Sequence, residues 1–381
     1  MRKTNLIIII ISLVITSCNN DRERNQEFPK LEFIYSYNVN FFHFVDKLSR
    51  WSPYTKDHAF SFYNQYFEIS DEDKQVLDLY RSNRILLDWE WEMELFKWAH
   101  HDYSFDSLIQ LDTIEVNDLD TILYNLKKCI DYFRNKNNKQ YNLSYIISER
   151  FDQLLEYKPD MDKHSDFITK KLKESQDYYN IWTSDQNVDY SEFPIYICFN
   201  FIDNYRSGGA NGNGVYAEID LSKDTSSLEG TAIILIHELL HKIIEAENIV
   251  TKTIDELDLT LSSVNNFLSQ YDLTKNDLLN KLNESSPREY GDNEFSTIEE
   301  IIVYHLANVI VADKSDEFII EKIRYYSDND KLLHARIWTG VQLLNKLYSN
   351  FEYSENENQF IWQFIRIFYE RVYFENYENI L

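Results

Sequence analysis

The chain of 381 residues carries 64 acidic against 38 basic side chains, a formal net charge of −26. Attraction of opposite charges therefore cannot bring it to nucleic acid or to an anionic bilayer. It has only 7 Gly and 5 Pro, with 15% aromatic residues, so few turn formers interrupt its long periodic segments. That predicts an α+β protein that is predominantly α-helical.

The N-terminus reads as an address rather than as fold. Arg2 and Lys3 make a basic start, and Leu6–Ile15 is an apolar run of signal-peptide length, too short for a stable span. It closes on Val14-Ile15-Thr16-Ser17-Cys18, which resembles a bacterial lipobox. The resemblance implies that residues 1–17 are a leader and that Cys18 is lipidated. It also implies a protein anchored to a membrane of the cell envelope, periplasmic or surface-exposed. An ordinary cleaved signal peptide is the other reading. Residues 18–30 are polar and charged, the composition of a tether. Removing Arg2 and Lys3 takes the net charge from −26 to −28. Cys129 and Cys198 are the other two cysteines. They could pair in an oxidising compartment, but two cysteines make no disulfide framework.

The remainder is long enough for one or two domains. Leu31–Asn40 alternates weakly and is expected as a strand. Helices are expected over Phe41–Leu48, Asp71–Tyr80, Asn83–Ala99 and Asp118–Asn135, with helical texture to about Lys158. Trp89, Trp91, Phe96 and Trp98 recur at near-helical spacing, which predicts a core stripe. His100 and His101 are adjacent, so their side chains diverge on a helix and both are expected at the surface. Residues 31–190 thus form a helical N-terminal region, suited to covering a site or binding a partner.

From Phe193 the texture changes. Pro194–Phe201 is rich in β-formers and predicts a strand, and Val215–Leu221 alternates like a second. Between them Gly208–Gly214 holds four of the seven glycines. It lacks the order of a phosphate-binding loop and is expected to be a flexible hairpin connection. A helix follows from Ser227 to about Glu247, with Ser226 or Ser227 as its cap and Glu229 in its first turn. Ile233, Ile236, Leu240, Ile243 and Ile244 make its core face. This helix carries His237-Glu238-Leu239-Leu240-His241. Positions i and i+4 share one face, so both imidazoles can hold one zinc ion, with Glu238 beside them as a general base. Two hydrogen-bonded core histidines are the alternative.

One or two helices are expected over Ile254–Asn283, then a loop, Ser285–Asn293. Ser296–Ala312 predicts a helix capped by Ser296 or Thr297, with Glu299 and Glu300 in its first turns. Ile298, Ile302, His305, Leu306 and Val309 form its core stripe. Glu300 lies off that stripe, in line with Tyr304 and Ala307. Ile319–Tyr325, His334–Leu347 and Gln359–Phe374 complete the predicted helices.

The His-Glu stretch resembles the zincin superfamily of metallopeptidases over about residues 194–312. Ile234, Leu235, Leu239 and Leu240 supply the uncharged surroundings of that pattern, and Lys242 departs from it. The order strand, glycine-rich loop, strand, helix is similar to zincins, and implies an edge strand that pairs with an extended peptide substrate. The metzincin branch is disfavoured, because no further His or Gly follows His241 within Lys242–Lys252. The gluzincin branch takes a Glu from a later helix, which implies Glu300 as the third ligand of a Zn2+ ion. Glu299 is the alternative ligand, nearer the apolar stripe, and both acids also suit a helix N-terminus. Thermolysin-like enzymes, which the surroundings of Glu300 resemble, carry an Asp where this chain has Tyr304. A partner for one His must then come from elsewhere. They also place an oxyanion-steadying Tyr near the position of Tyr290, and His305 and His334 are further candidates. The resemblance implies a zinc peptidase region over 191–381 acting on an extracytoplasmic protein or peptide, with Glu238 and Tyr290 catalytic. The alternative is a catalytically inactive surface lipoprotein of zincin shape that binds a partner or a glycan.

Overall fold

A computed structural model describes residues 31–52, 57–87, 91–104, 118–183, 194–202, 207–211, 214–222, 228–284, 293–349 and 357–373. The leader, the tether, Cys18 and Tyr290 lie outside the described residues. Strand β1 (Phe33–Ile34) is followed by helices α1 (Tyr37–Ser49), α2 (His58–Tyr63), α3 (Asp71–Arg84), α4 (Glu92–His100), α5 (Leu119–Arg134), α6 (Leu143–Glu174) and α7 (Gln176–Tyr179). Strands β2 (Ile195–Phe199), β3 (Gly208–Asn211) and β4 (Gly214–Ile219) come next. Then follow α8 (Leu228–Leu240), α9 (Ala246–Asp255), α10 (Ser262–Gln270) and α11 (Lys275–Asn283). The last four helices are α12 (Glu294–Tyr304), α13 (Asp316–Asp328), α14 (Leu332–Ser349) and α15 (Glu357–Ile367). The fold is α+β, predominantly helical with one small mixed sheet.

Sheet order is β1-β2-β4-β3, with β1, β2 and β4 parallel and β3 antiparallel at the edge. Every residue of β2 and β4 is buried, as expected for parallel strands covered on both faces. Tyr196 and Tyr216 pack on Phe96 of α4, while Glu218 reaches His43 of α1, so α1 and α4 cover one face. Helix α8 lies on the other. The strand predicted over Leu31–Asn40 shrinks to two residues, because Ser36 Oγ accepts the Val39 N–H and starts α1 there. Asn40 then takes over from β1: its side chain donates to the Ile197 carbonyl (3.2 Å) and accepts from the Phe199 N–H (2.9 Å). The hydrophobic core is one continuous cluster running from Leu31 to Tyr369.

Three boundaries differ from expectation for identifiable reasons. Helix α6 runs through Pro159 to Glu174, well past Lys158. Pro159 faces solvent, while Leu154, Met161 and Ile168 repeat at seven residues along a buried face. Burial of that face outweighs the cost of the proline. Helix α8 ends at Leu240, not Glu247, and the chain turns through Ile244 before α9. Helix α12 begins at Glu294, where Asn293 Oδ1 accepts the Ser296 N–H (3.1 Å), and continues past Tyr304 as π-helical turns over His305–Val311. Glu299 and Glu300 therefore sit in its second turn, beyond the reach of a first-turn dipole effect.

Helix α12 is held at close range by α14. A Cβ on Gly340 would lie 2.3 Å from Ile301 Cδ1 and 2.7 Å from its Cγ1. Only a glycine lets the two helices approach so closely, and Ile301 is the next residue after Glu300.

Candidate metal centre

His237 lies in the last turn of α8 and His241 one residue beyond it. The His241 N–H still bonds the His237 carbonyl at 3.3 Å, so helical alignment of the two rings survives the end of the helix. Their ring centroids are 4.9 Å apart and their Nε2 atoms 3.2 Å apart. Glu300 arrives from α12, with Oε2 3.6 Å from His237 Nε2 and Oε1 3.6 Å from His241 Nε2. A tetrahedral zinc ion with bonds of about 2.0 Å has donor–donor edges of about 3.3 Å. The 3.2 Å between the two Nε2 atoms matches such an edge, and the ligand atoms of His237, His241 and Glu300 all lie within 4.8 Å of one another. Among the described residues this is the one such cluster of three His, Cys, Asp or Glu side chains.

Glu299 has a different job from Glu300. Its Oε1 accepts from His241 Nδ1 at 2.7 Å. A carboxylate only accepts, so a proton sits on Nδ1, and Nε2 is the ring atom that faces Glu300 and His237. Successive residues point about 100° apart on a helix, which lets one acid turn to the cluster and its neighbour to the imidazole behind it. Tyr304, one turn after Glu300, lays its ring edge-on to His237, with centroids 4.6 Å apart.

Electrostatics favour a cation here. Burial, then the neighbouring His241, holds His237 well below the ordinary imidazole value, so its ring is neutral. Burial also works against charge on His241, but the Glu299 hydrogen bond and the charges of Glu300 and Glu238 outweigh it and lift its pKa to about 9. Glu238 is pushed up to about 7, by burial first and by Glu300 and Glu92 next, against the pull of His241 and Lys242. A carboxyl poised near neutrality suits proton transfer in both directions.

Strand β3 runs directly over Glu238. A Cβ at Gly208 would lie 2.6 Å from Ile234 Cγ2, 2.9 Å from the Tyr216 carbonyl and 3.2 Å from Glu238 Cγ. One at Gly209 would meet the Tyr216 ring at 2.4 Å. The glycine run is thus in part an edge strand that needs glycine for close approach, rather than only a flexible connection. The Glu218 N–H bonds the Ser207 carbonyl (2.8 Å). With the register Gly208↔Ala217, the main-chain groups of Gly208 and Ala210 then point away from β4, along the sheet edge.

The start of β3 is pinned from the N-terminal region. Ser207 Oγ bonds one oxygen of Glu218, and His43 Nε2 donates to the other at 2.6 Å, with Lys47 Nζ at 4.0 Å. Burial alone would raise the Glu218 pKa, yet the His43 hydrogen bond and the Lys47 charge bring it down to about 2. A depressed carboxyl contributes stability that is complete above its unfolded value, about 4.5, and is lost as pH falls towards 2. We expect Glu218 to account for roughly 2 kcal/mol of the stability lost between pH 7 and pH 3. Urea titrations at both pH values check this: the difference between them should shrink by that amount in Glu218→Gln. An unchanged difference would remove Glu218 from the acid response.

The sequence-derived candidates His237, Glu238, His241 and Glu300 meet in one place, and Glu299 stands behind His241. His305 is buried flat against Tyr348, and His334 stacks on Tyr326; neither joins the cluster. His100 and His101 are exposed. Cys129 and Cys198 are buried and free. Among the described residues no helix is long and apolar enough to cross a membrane. Two roles emerge only from the structure: Glu299 as the His241 partner and Gly208 as the seat of β3 on Glu238. The adjacency of two acids at 100° and the pair of glycines between two runs of β-formers are the available signals. No protein-family model, no curated protein and no solved structure matches this chain.

Proposed function

We propose that the protein is a zinc-dependent peptidase of zincin type, with His237, His241 and Glu300 as metal ligands. The observation that carries this reading is the meeting of three ligand side chains, two imidazoles on one face of α8 and its end and a carboxylate from α12, with donor atoms within 4.8 Å of one another. A bound zinc ion supplies Lewis acidity, which acidifies water and polarises a carbonyl. Everything else falls to the chain. Glu238 takes a proton from the attacking water and hands it to the departing amine. Glu299 holds His241 with its Nε2 free for the ion. Gly208 and Ala210 offer main-chain groups along the edge beside Glu238, where an extended peptide can add as a further strand.

The test is the metal content and peptidase activity of the purified protein. Near-stoichiometric zinc together with cleavage of a peptide library, both lost in His237→Ala, is the expected result. Zinc without cleavage would favour a binding protein of the same shape. No zinc after reconstitution would end the metal reading.

A further inference from the structure

We propose that Trp182 is a positioning residue that ties together the two segments supplying the ligands, and so sets the donor spacing; this rests on the metal reading above. Trp182 ends a short 3-10 turn, Asn180–Trp182, just after α7. It belongs to the N-terminal half, and no chemistry was expected of it. Its carbonyl accepts the Glu245 N–H at 3.0 Å. Glu245 lies four residues past His241, where the chain has left α8 and is about to begin α9. Its indole Nε1 donates to the Tyr348 hydroxyl at 3.1 Å. That hydroxyl donates in turn to the Tyr178 carbonyl at 3.0 Å. The Tyr348 ring lies flat on His305, with centroids 4.9 Å apart and planes 15° apart. His305 lies five residues past Glu300 and opens the π-helical turns.

One residue thus holds both exits. Its main chain fixes the turn that follows His241, and its side chain, through Tyr348, fixes the stretch that follows Glu300. The centre of the tie is buried: Trp182 and His305 are 0% exposed and Tyr348 is 8% exposed. Phe360 and Phe364 of α15 pack against the indole, so the ring cannot swing away without opening the core. Donor atoms from two helices must meet within a few tenths of an ångström to bind zinc, and such a geometry needs support behind the ligands themselves. His241 needs it most, because it stands outside the last residue of α8. Trp182 supplies that support from a part of the chain that contributes no ligand.

The experiment compares wild type with Trp182→Phe and Tyr348→Phe. Trp182→Phe removes the indole donor. Tyr348→Phe removes its acceptor and keeps the ring on His305, the milder change. Amide hydrogen exchange is followed by mass spectrometry on the metal-free protein, and zinc affinity by competition with a chromophoric chelator. We expect exchange to rise about tenfold over 241–246 and 305–311 together, with β2 and β4 unchanged. We also expect the zinc dissociation constant to rise about tenfold. A rise in only one segment, a uniform rise across the chain, or faster exchange at unchanged zinc affinity would overturn the proposal. Should the wild type bind no zinc, the metal reading fails by itself, and the paired rise in exchange alone decides whether Trp182 ties the two segments.

Discussion

Glu238→Gln is expected to keep its zinc and to lose peptide hydrolysis by about two to four orders of magnitude. The substitution is nearly isosteric, so the close seat under Gly208 and beside Ile234 is preserved. What it removes is a group able to take a proton. Glu238 is not among the three clustered donors, so zinc content should stay within error of wild type. The wild-type carboxyl is unusually well prepared for the task, since burial brings it near neutrality. The expected loss corresponds to roughly 3–6 kcal/mol of transition-state stabilisation at about 1.4 kcal/mol per tenfold. Initial rates on a peptide cleaved by the wild type, measured beside zinc content on the same samples, provide the check. Full hydrolysis by the zinc-loaded variant would sink the mechanism.

The second large effect separates two neighbours. On the proposed ligand assignment, Glu300→Gln should abolish stoichiometric zinc binding, because it removes the carboxylate that reaches toward both histidines. Glu299→Gln should weaken zinc by about 10–100-fold and no more, because the amide oxygen can still accept from His241 Nδ1 but supports its basicity less well. Affinities from chelator competition, taken on both variants at one pH, decide the matter. Equal losses would mean that Glu299 also ligates. The reverse order would make Glu299 the ligand and Glu300 its support.

Much of the site was legible because its logic is local. The i, i+4 spacing of His237 and His241 is a property of one helix, and the second helix carrying Glu300 announces itself by its own apolar stripe. Less was legible where distant parts of the chain decide. Nothing near Leu240 says that α8 stops there: no Gly or Pro follows, and the turn is held by a carbonyl from Trp182. Gly208 and Gly209 look like a turn because glycine usually marks one. Their reason is Ile234, Tyr216 and Glu238 crowding from elsewhere in the chain. Gly340 looks like a flaw in α14 until Ile301 is seen against it. The helical content and the sheet of β-formers were readable from periodicity, whereas the passage of α6 through Pro159 depended on a buried face whose partners lie elsewhere.

The sheet is asymmetric at its two margins. At β1 the strand is two residues long, and Ser165 of α6 already donates to the Leu31 carbonyl (2.7 Å). At β3 the margin carries Gly208, Gly209 and Ala210, residues that offer a partner almost nothing but main chain. A peptide lying along β3 would be recognised there by its backbone, which is the same for every sequence. Under the proposed peptidase reading, selectivity among substrates must then come from side chains outside β3. A randomised library should accordingly return cleavage sites with little preference at the paired positions, and a strong consensus there would argue against β3 as the docking edge. If the proposed peptidase reading holds, a margin of this kind suits degradation of many sequences better than processing of one.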